Sequence, residues 1–227
     1  LGVVGALAPF NFPALVYGWF VPFAIGAGNT MVFKPSEQSP MFMQRIAEIF
    51  DKIELPKGVF NLVNGAASVV RPLLDSPKVK AMAFVGSTPV GKIIAEGCTK
   101  TLKRGLILAG AKNTLLVAED ANTDGFIENF INSCYGSAGQ MCMAGANVAV
   151  VESRYDEIKE KMIEAARSVR YGDARDESLF MGPVISQKSK ERVLGYIEVG
   201  LQEGANLAVD GSKPKLPETN VKGFFVG

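Results

Sequence analysis

Cys142 lies in Gly136-Ser137-Ala138-Gly139-Gln140-Met141-Cys142-Met143-Ala144-Gly145, a run of small residues that lets backbone and substrate come close to a sulfur. The 227-residue chain contains no histidine. A Ser–His–Asp triad, a Cys–His pair and a His-ligated zinc site are therefore excluded within it, and no metal site is expected. If the chain is an enzyme with a nucleophile, a thiolate activated without imidazole is the leading candidate. A purely structural role for Cys142 is the alternative. Cys98 and Cys134 read as inert buried thiols, Cys134 within an amphipathic helix.

Three further segments carry side chains suited to a cofactor or an oxyanion, and each follows a strand-like run. Pro9-Phe10-Asn11-Phe12-Pro13 holds an asparagine rigidly between aromatics and prolines. Its amide NH2 could stabilise an oxyanion, and an Asx-turn or helix cap is the competing reading. Asn29-Thr30-Met31-Val32-Phe33-Lys34-Pro35-Ser36-Glu37 puts a lysine and a glutamate just past a strand. That edge is where open α/β sheets bind ligands. Lys34 could hold a ribose hydroxyl or a phosphate and Glu37 could accept from ribose hydroxyls, against the alternative of a solvated turn with a charge pair. Phe84-Val85-Gly86-Ser87-Thr88-Pro89-Val90-Gly91 runs from a buried strand into a helix. Gly86 permits a tight turn, Ser87 adds a hydroxyl, and the first helical amides would attract a phosphate. It is not the usual G-x-G-x-x-G, and plain architecture is the other reading.

The elements that must position these residues alternate. Apolar runs at 3–7, 30–33, 59–63, 81–85 and 105–108 predict strands, and residues 13–25, 40–50, 67–74 and 89–97 predict helices between them. Ser39 before Pro40 resembles an N-cap followed by proline at the first helical position. Such alternation predicts an open, doubly wound, mostly parallel sheet. Beyond Lys112 the pattern stays α/β: strands at 115–117 and 147–151, helices at 124–135, 155–169 and 186–203, then strands at 206–209 and 223–226 around a Gly/Pro/Lys turn. A domain boundary is placed near Lys112 or Asn113.

With 48% hydrophobic residues the chain can bury a sizeable core, and a formal net charge of +1 gives no electrostatic case for nucleic acid or an anionic membrane. Three cysteines without tight spacing argue against a disulfide framework and for a reducing compartment, so a cytoplasmic location is expected. The apolar stretch 10–28, broken by prolines and glycines, reads as a helix packed in a core rather than a span. Both ends are strand-like, which leads us to expect a piece of a longer protein.

Taken in order, Pro9-Phe10-Asn11-Phe12-Pro13, Gly28-Asn29, Lys34-Pro35-Ser36-Glu37, Leu55-Pro56-Lys57-Gly58-Val59-Phe60-Asn61, Phe84-Val85-Gly86-Ser87, Gly110-Ala111-Lys112-Asn113, Gly139-Gln140-Met141-Cys142 and Gly182-Pro183-Val184-Ile185 resemble the aldehyde dehydrogenase superfamily over essentially the whole chain. Within it the likeness is to the CoA-acylating methylmalonate-semialdehyde dehydrogenases, through Leu102-Lys103-Arg104, Ala111 and Cys142-Met143-Ala144. The resemblance implies an open doubly wound NAD-binding sheet (residues 1–112) and part of an α/β catalytic domain (residues 113–227), both partial. It implies Cys142 as nucleophile, with the Asn11 side chain and the Cys142 amide as oxyanion hole. Lys34 and Glu37 would take the adenosine ribose, Gly86 and Ser87 would lie along the pyrophosphate, and Ala8, Phe10, Gln38 and Ala109 match further cofactor-lining positions. It implies NAD as cofactor, CoA as acyl acceptor, a small aldehyde as substrate, and a homo-oligomer, dimer or tetramer, at full length. The glutamate that holds the nicotinamide ribose in this family would lie beyond residue 227.

Two departures bear on the chemistry. Hydrolytic members carry a glutamate four residues before the Lys112 position, which activates water; here it is Leu108, which cannot serve as a base. Another acyl acceptor is then needed, and the CoA-acylating group, which also lacks this glutamate, uses the thiol of CoA. Semialdehyde-specific members carry an arginine just before the nucleophile, where this chain has Met141, and Asn147 stands where many members have another arginine. Losing a charge-assisted pair would weaken carboxylate recognition by about 1.5–3 kcal/mol. A hydrolytic dehydrogenase and a catalytically silent nucleotide-binding or assembly module remain as competing readings.

Overall fold

The structure is a computed structural model and describes residues 1–216 and 222–227. The chain divides into two compact units, Leu1–Gly110 and Ala111–Gly227.

The first unit is built on a five-stranded sheet of β1 (Val3–Leu7), β2 (Thr30–Lys34), β3 (Phe60–Leu62), β4 (Val79–Val85) and β5 (Arg104–Leu108), in the order β3-β2-β1-β4-β5. Every pairing is parallel. Parallel neighbours need crossovers, and the connections supply them: α1 (Pro13–Gly26), α2 (Pro40–Phe50), α3 (Ala67–Asp75) and α4 (Thr88–Lys100). Because side chains alternate across a strand, two cores form, one on each face. Ala6, Phe33, Ala83 and Val85 pack with Val16, Phe20 and Val21 of α1 and Met43 of α2. Leu7, Met82 and Phe84 turn the other way, onto Leu74 of α3 and Ile94 and Cys98 of α4. The chain winds outward from β1 through β2 to β3 and then crosses back to β4, so the strand order, and with it the direction of winding, reverses between β1 and β4. Ligands of open α/β sheets bind at the carboxyl ends of strands flanking such a reversal.

In α1, apolar residues surround the helix and Pro22 lies inside it. The buried side chains are Val16, Phe20 and Val21, while Trp19 and Phe23 are exposed. No helix among the described residues is long and apolar enough to cross a membrane. Asn29, only 8% exposed, fastens the far end of α1: its Oδ1 accepts from the Gly2 amide at 3.0 Å and its Nδ2 donates to the Ala24 carbonyl at 3.0 Å.

The second unit contains a parallel pair, β6 (Asn113–Val117) and β7 (Gly145–Val150), with α5 (Thr123–Tyr135), α6 (Tyr155–Ser168) and α7 (Gln187–Gln202). Asn122 caps α5 by accepting from the Gly125 amide at 3.0 Å, and Ser186 caps α7 by accepting from the Ser189 amide at 3.1 Å.

Three local expectations are corrected. Residues 206–209 form no strand: they are bends and coil with no ladder partner, and apolar residues alone do not make one. Residues 223–226 contribute one antiparallel bridge, Phe224 to Val184, rather than a strand; part of the turn expected before them, residues 217–221, lies outside the described residues. Ser39 does occupy the N-cap position of α2, but its side chain makes no cap bond. Its hydroxyl donates instead to the Phe10 carbonyl at 3.3 Å, tying the loop after β1 to the loop after β2.

Candidate functional site

In the first unit a groove of about 690 Å3 opens at the carboxyl ends of β1, β2 and β4, between α3 and α4. That volume falls within the roughly 300–1,000 Å3 of small-molecule clefts. Ala8, Phe10, Lys34, Glu37, Gly86 and Ser87 all line it. Gln38 and Ala109 do not. Gln38 is exposed in the turn after β2, its amide bonded to Ser36 Oγ at 3.2 Å. Ala109 is exposed just past β5, an edge strand.

Lys34 ends β2 with its side chain only 9% exposed, and its Nζ meets Glu37 Oε2 at 2.8 Å. The lysine hydrogen bond, helped by a backbone amide, holds the Glu37 carboxyl below its ordinary range. The charge pair named in the alternative reading is thus present, and it stands at the groove wall, with the lysine buried rather than solvated. A carboxylate facing the groove favours ribose hydroxyls and repels a 2′-phosphate.

Gly86 follows β4, its amide donating to the Leu108 carbonyl at 3.1 Å. A Cβ there would lie 2.6 Å from Cζ of the Phe84 ring, so any larger residue would collide with the groove's own wall. Ser87 is the N-cap of α4 but caps nothing with its side chain. The first intrahelical bond runs from Gly91 N to Ser87 O at 2.9 Å. The amides of Thr88 and Val90 therefore stand at an unladdered helix start, a setting that favours phosphate. A pre-paired Lys–Glu wall, a close-approach glycine and a helix N-terminus around one cleft fit an adenine dinucleotide.

Asn11 is half-buried in the loop between β1 and α1. The N-cap of α1 is Phe12, followed by Pro13, so the cap position considered for Asn11 belongs to its neighbour.

In the second unit Cys142 is exposed, whereas Cys98 is buried and Cys134 is half-buried rather than buried as expected. Burial pushes the thiols of Cys98 and Cys134 above their ordinary values. The chain reaches Cys142 through three consecutive left-handed residues, Ser137 (φ 51°), Ala138 (φ 55°) and Gly139 (φ 70°). Each non-glycine residue held there costs on the order of 1–3 kcal/mol. The surroundings fix the loop. Gln140 Oε1 accepts from the Ile185 amide at 2.9 Å and its Nε2 donates to the Ser137 carbonyl at 3.0 Å. Ser133 Oγ accepts from the Gly145 amide at 2.9 Å, and Cys134 Sγ donates to the Gly145 carbonyl at 3.1 Å. Asn113 Nδ2 donates to the carbonyls of Cys142 at 2.8 Å and Ala144 at 3.1 Å. Asn113 belongs to the Gly110-Ala111-Lys112-Asn113 motif, but its contact with the Cys142 loop carries no signal in the sequence.

Met141 folds back on its own loop: a Cβ at Gly136 would lie 3.0 Å from its Cε. Asn147 is exposed on β7. Neither residue offers a cation. Leu108 ends β5 and is 39% exposed.

The family model for aldehyde dehydrogenases matches residues 1–227. The chain is 47% identical over 227 residues to a malonate-semialdehyde dehydrogenase of Bacillus pumilus, covering 100% of this chain and 46% of that protein. A crystal structure of a methylmalonate-semialdehyde dehydrogenase from Oceanimonas doudoroffii matches with a TM-score of 0.96 at 40% identity, over 100% of this chain and 46% of that one. A crystal structure of betaine aldehyde dehydrogenase from Staphylococcus aureus in complex with NAD+ matches with a TM-score of 0.94 at 30% identity, over 99% of this chain and 45% of that one. The chain thus spans about half the length of the relatives it matches. The ordered motifs, the parallel sheet with its cleft, and the family match over every residue agree: the chain belongs to the aldehyde dehydrogenase family.

Proposed function

We propose that this chain carries the NAD-binding groove and the nucleophile of a CoA-acylating semialdehyde dehydrogenase acting on a malonate-type semialdehyde. The observation that carries the reading is Cys142, an exposed thiol on a loop fastened by side chains, in a chain whose water-activating position is Leu108. Relatives named malonate-semialdehyde and methylmalonate-semialdehyde dehydrogenase support the substrate class.

In this reading the groove holds NAD. Lys34 and Glu37 bind the adenosine ribose, the amides at the start of α4 and Ser87 meet the pyrophosphate, and Gly86 leaves room for it to lie close. The chemistry NAD supplies when bound is hydride acceptance. The Cys142 thiolate forms a C–S bond to the aldehyde carbon, and the carbonyl electron pair moves to oxygen. The Asn11 side-chain amide and the Cys142 backbone N–H donate to that alkoxide. Loss of hydride from the carbon leaves a thioester on Cys142. The CoA thiolate attacks the thioester carbon, and the Cys142 thiolate leaves as acyl-CoA departs. A malonate-type acyl group loses CO2 in the course of the cycle. Met141 and Asn147 contribute no cation, so the substrate carboxylate is recognised by groups other than these. A cytoplasmic homo-oligomer and a preference for NAD over NADP complete the proposal.

The test is NADH formation by the whole protein with and without CoA, beside the variant Leu108→Glu. Turnover that stops after one equivalent without CoA, and becomes continuous without CoA in the variant, supports acyl transfer to CoA. Robust multiple turnover of the unmodified protein without CoA points to the hydrolytic alternative.

A further inference from the structure

We propose that Asn113 is a positioning residue for Cys142, fixing the two peptide planes that flank the nucleophile; the inference rests on the reading of Cys142 as nucleophile and deepens it.

The geometry is built from three features. First, the β6–β7 register shifts where Asn113 enters the sheet: Asn113 pairs with Gly145, but Thr114 pairs with Asn147, leaving Ala146 as an extra residue on β7. Bulges of this kind re-aim a side chain and end regular pairing. Second, the two hydrogens of one Nδ2 serve two carbonyls, those of Cys142 and Ala144, so the side chain bridges both ends of the Cys142–Ala144 turn. The two acceptors lie 29 and 31 residues away in sequence, so this half-buried carboxamide ties the loop to the start of β6. Third, the Met141 carbonyl accepts from the Ala144 amide at 3.2 Å. Peptide bonds here are trans, so each N–H points opposite to the preceding C=O. With the Met141 carbonyl turned into the turn, the Cys142 N–H faces out of it. With the Cys142 carbonyl held by Asn113, the next plane is set as well. Fixing both planes fixes the direction of the Cα–Cβ bond relative to the Cys142 N–H, and so confines the sulfur to the staggered positions about that bond.

Such a group does not touch the reacting atoms, but misplacing a nucleophile by about 1 Å can cost roughly 100-fold in rate. The test compares Asn113→Ala and the isosteric Asn113→Asp, which loses the donors, with the unmodified whole protein. Measured are the single-turnover burst of NADH from propanal without CoA, NAD affinity by calorimetry, melting temperature, and acylation of Cys142 by peptide mass. The proposal expects the burst to slow by roughly 10- to 100-fold in both variants, with NAD affinity and the aldehyde KM within about threefold of the unmodified protein. A burst within about threefold of the unmodified protein in a folded variant overturns the positioning role alone. A structural role only would appear as lower melting temperature with an unchanged burst in the folded fraction, and also overturns it. Should Asn113→Ala fail to fold, Asn113→Ser, which keeps one donor, is expected to show an intermediate burst, and an unslowed burst overturns the proposal. If the unmodified protein forms no Cys142 adduct at all, the nucleophile reading fails and the positioning role with it.

Discussion

Gly86→Ala is the substitution whose effect is best fixed by distances. The added methyl would lie 2.6 Å from Phe84 Cζ and 3.0 Å from Cε2, where carbon atoms prefer roughly 3.5–4.0 Å. Phe84 is only 5% exposed, and its ring is backed on α4: a Cβ at Gly91 would lie 3.4 Å from Cε1. Gly86 has no left-handed backbone conformation, so the conflict is one of space alone. Relief requires a shift of the ring into the groove or of the start of α4 away from β4. Overpacking of this kind costs about 1–3 kcal/mol, a fall in melting temperature of roughly 2–12 °C for a chain this long. Either movement also narrows the approach of a pyrophosphate to the Thr88 and Val90 amides, and we expect NAD affinity to fall by about 10- to 100-fold, or roughly 1.4–2.8 kcal/mol. Calorimetric titration with NAD and a thermal melt read the two effects separately. Gly18→Ala in α1 is the control: nothing lies within 4 Å of its added methyl, so it should melt no lower and bind NAD as before. A Gly86→Ala protein that melts within about 1 °C of the original and binds NAD within about threefold would refute the reasoning.

Iodoacetamide at neutral pH should label Cys142 at least about tenfold faster than Cys98 or Cys134 in the folded protein, because burial both covers the latter pair and disfavours their thiolates; equal rates by peptide mass would remove the basis for calling Cys142 the reactive thiol. NAD affinity should be flat from about pH 6 to pH 8. The Glu37 carboxyl is held below its ordinary value by Lys34, so the stabilisation of the pair is complete above the ordinary glutamate range and is lost only as pH falls through the lowered value. An affinity that titrates between pH 6 and pH 8 would show that another group controls the ribose site.

The inner strands of the first unit, β1, β2 and β4, were legible because they are largely buried in a parallel sheet and so read as apolar runs; β1 has the bounds expected from sequence, as does the helix α2. The start of β4 was not, since the pattern is broken by Lys80, an exposed residue whose Nζ donates to the Pro77 carbonyl at 2.8 Å. At 206–209 the composition suited a strand, yet a strand exists only with a partner, and partner geometry is not local information. The candidate site shows the same division. Lys34 and Glu37 were visible as chemistry at a strand end and as a charge pair, but the burial of the lysine and the groove both residues line depend on packing that is not local in sequence. Asn113 was hidden for a plainer reason: its partners are backbone carbonyls, which carry no residue-type signal, brought beside it by a strand pairing and a bulge.

The most direct test of the central claim is the fate of the Cys142 sulfur. The whole protein, mixed with aldehyde and NAD in the absence of CoA, should accumulate one acyl group on Cys142 by peptide mass together with one equivalent of NADH, and addition of CoA should clear the adduct as acyl-CoA. Continuous NADH formation with no adduct at Cys142, or an adduct that CoA leaves in place, would contradict it.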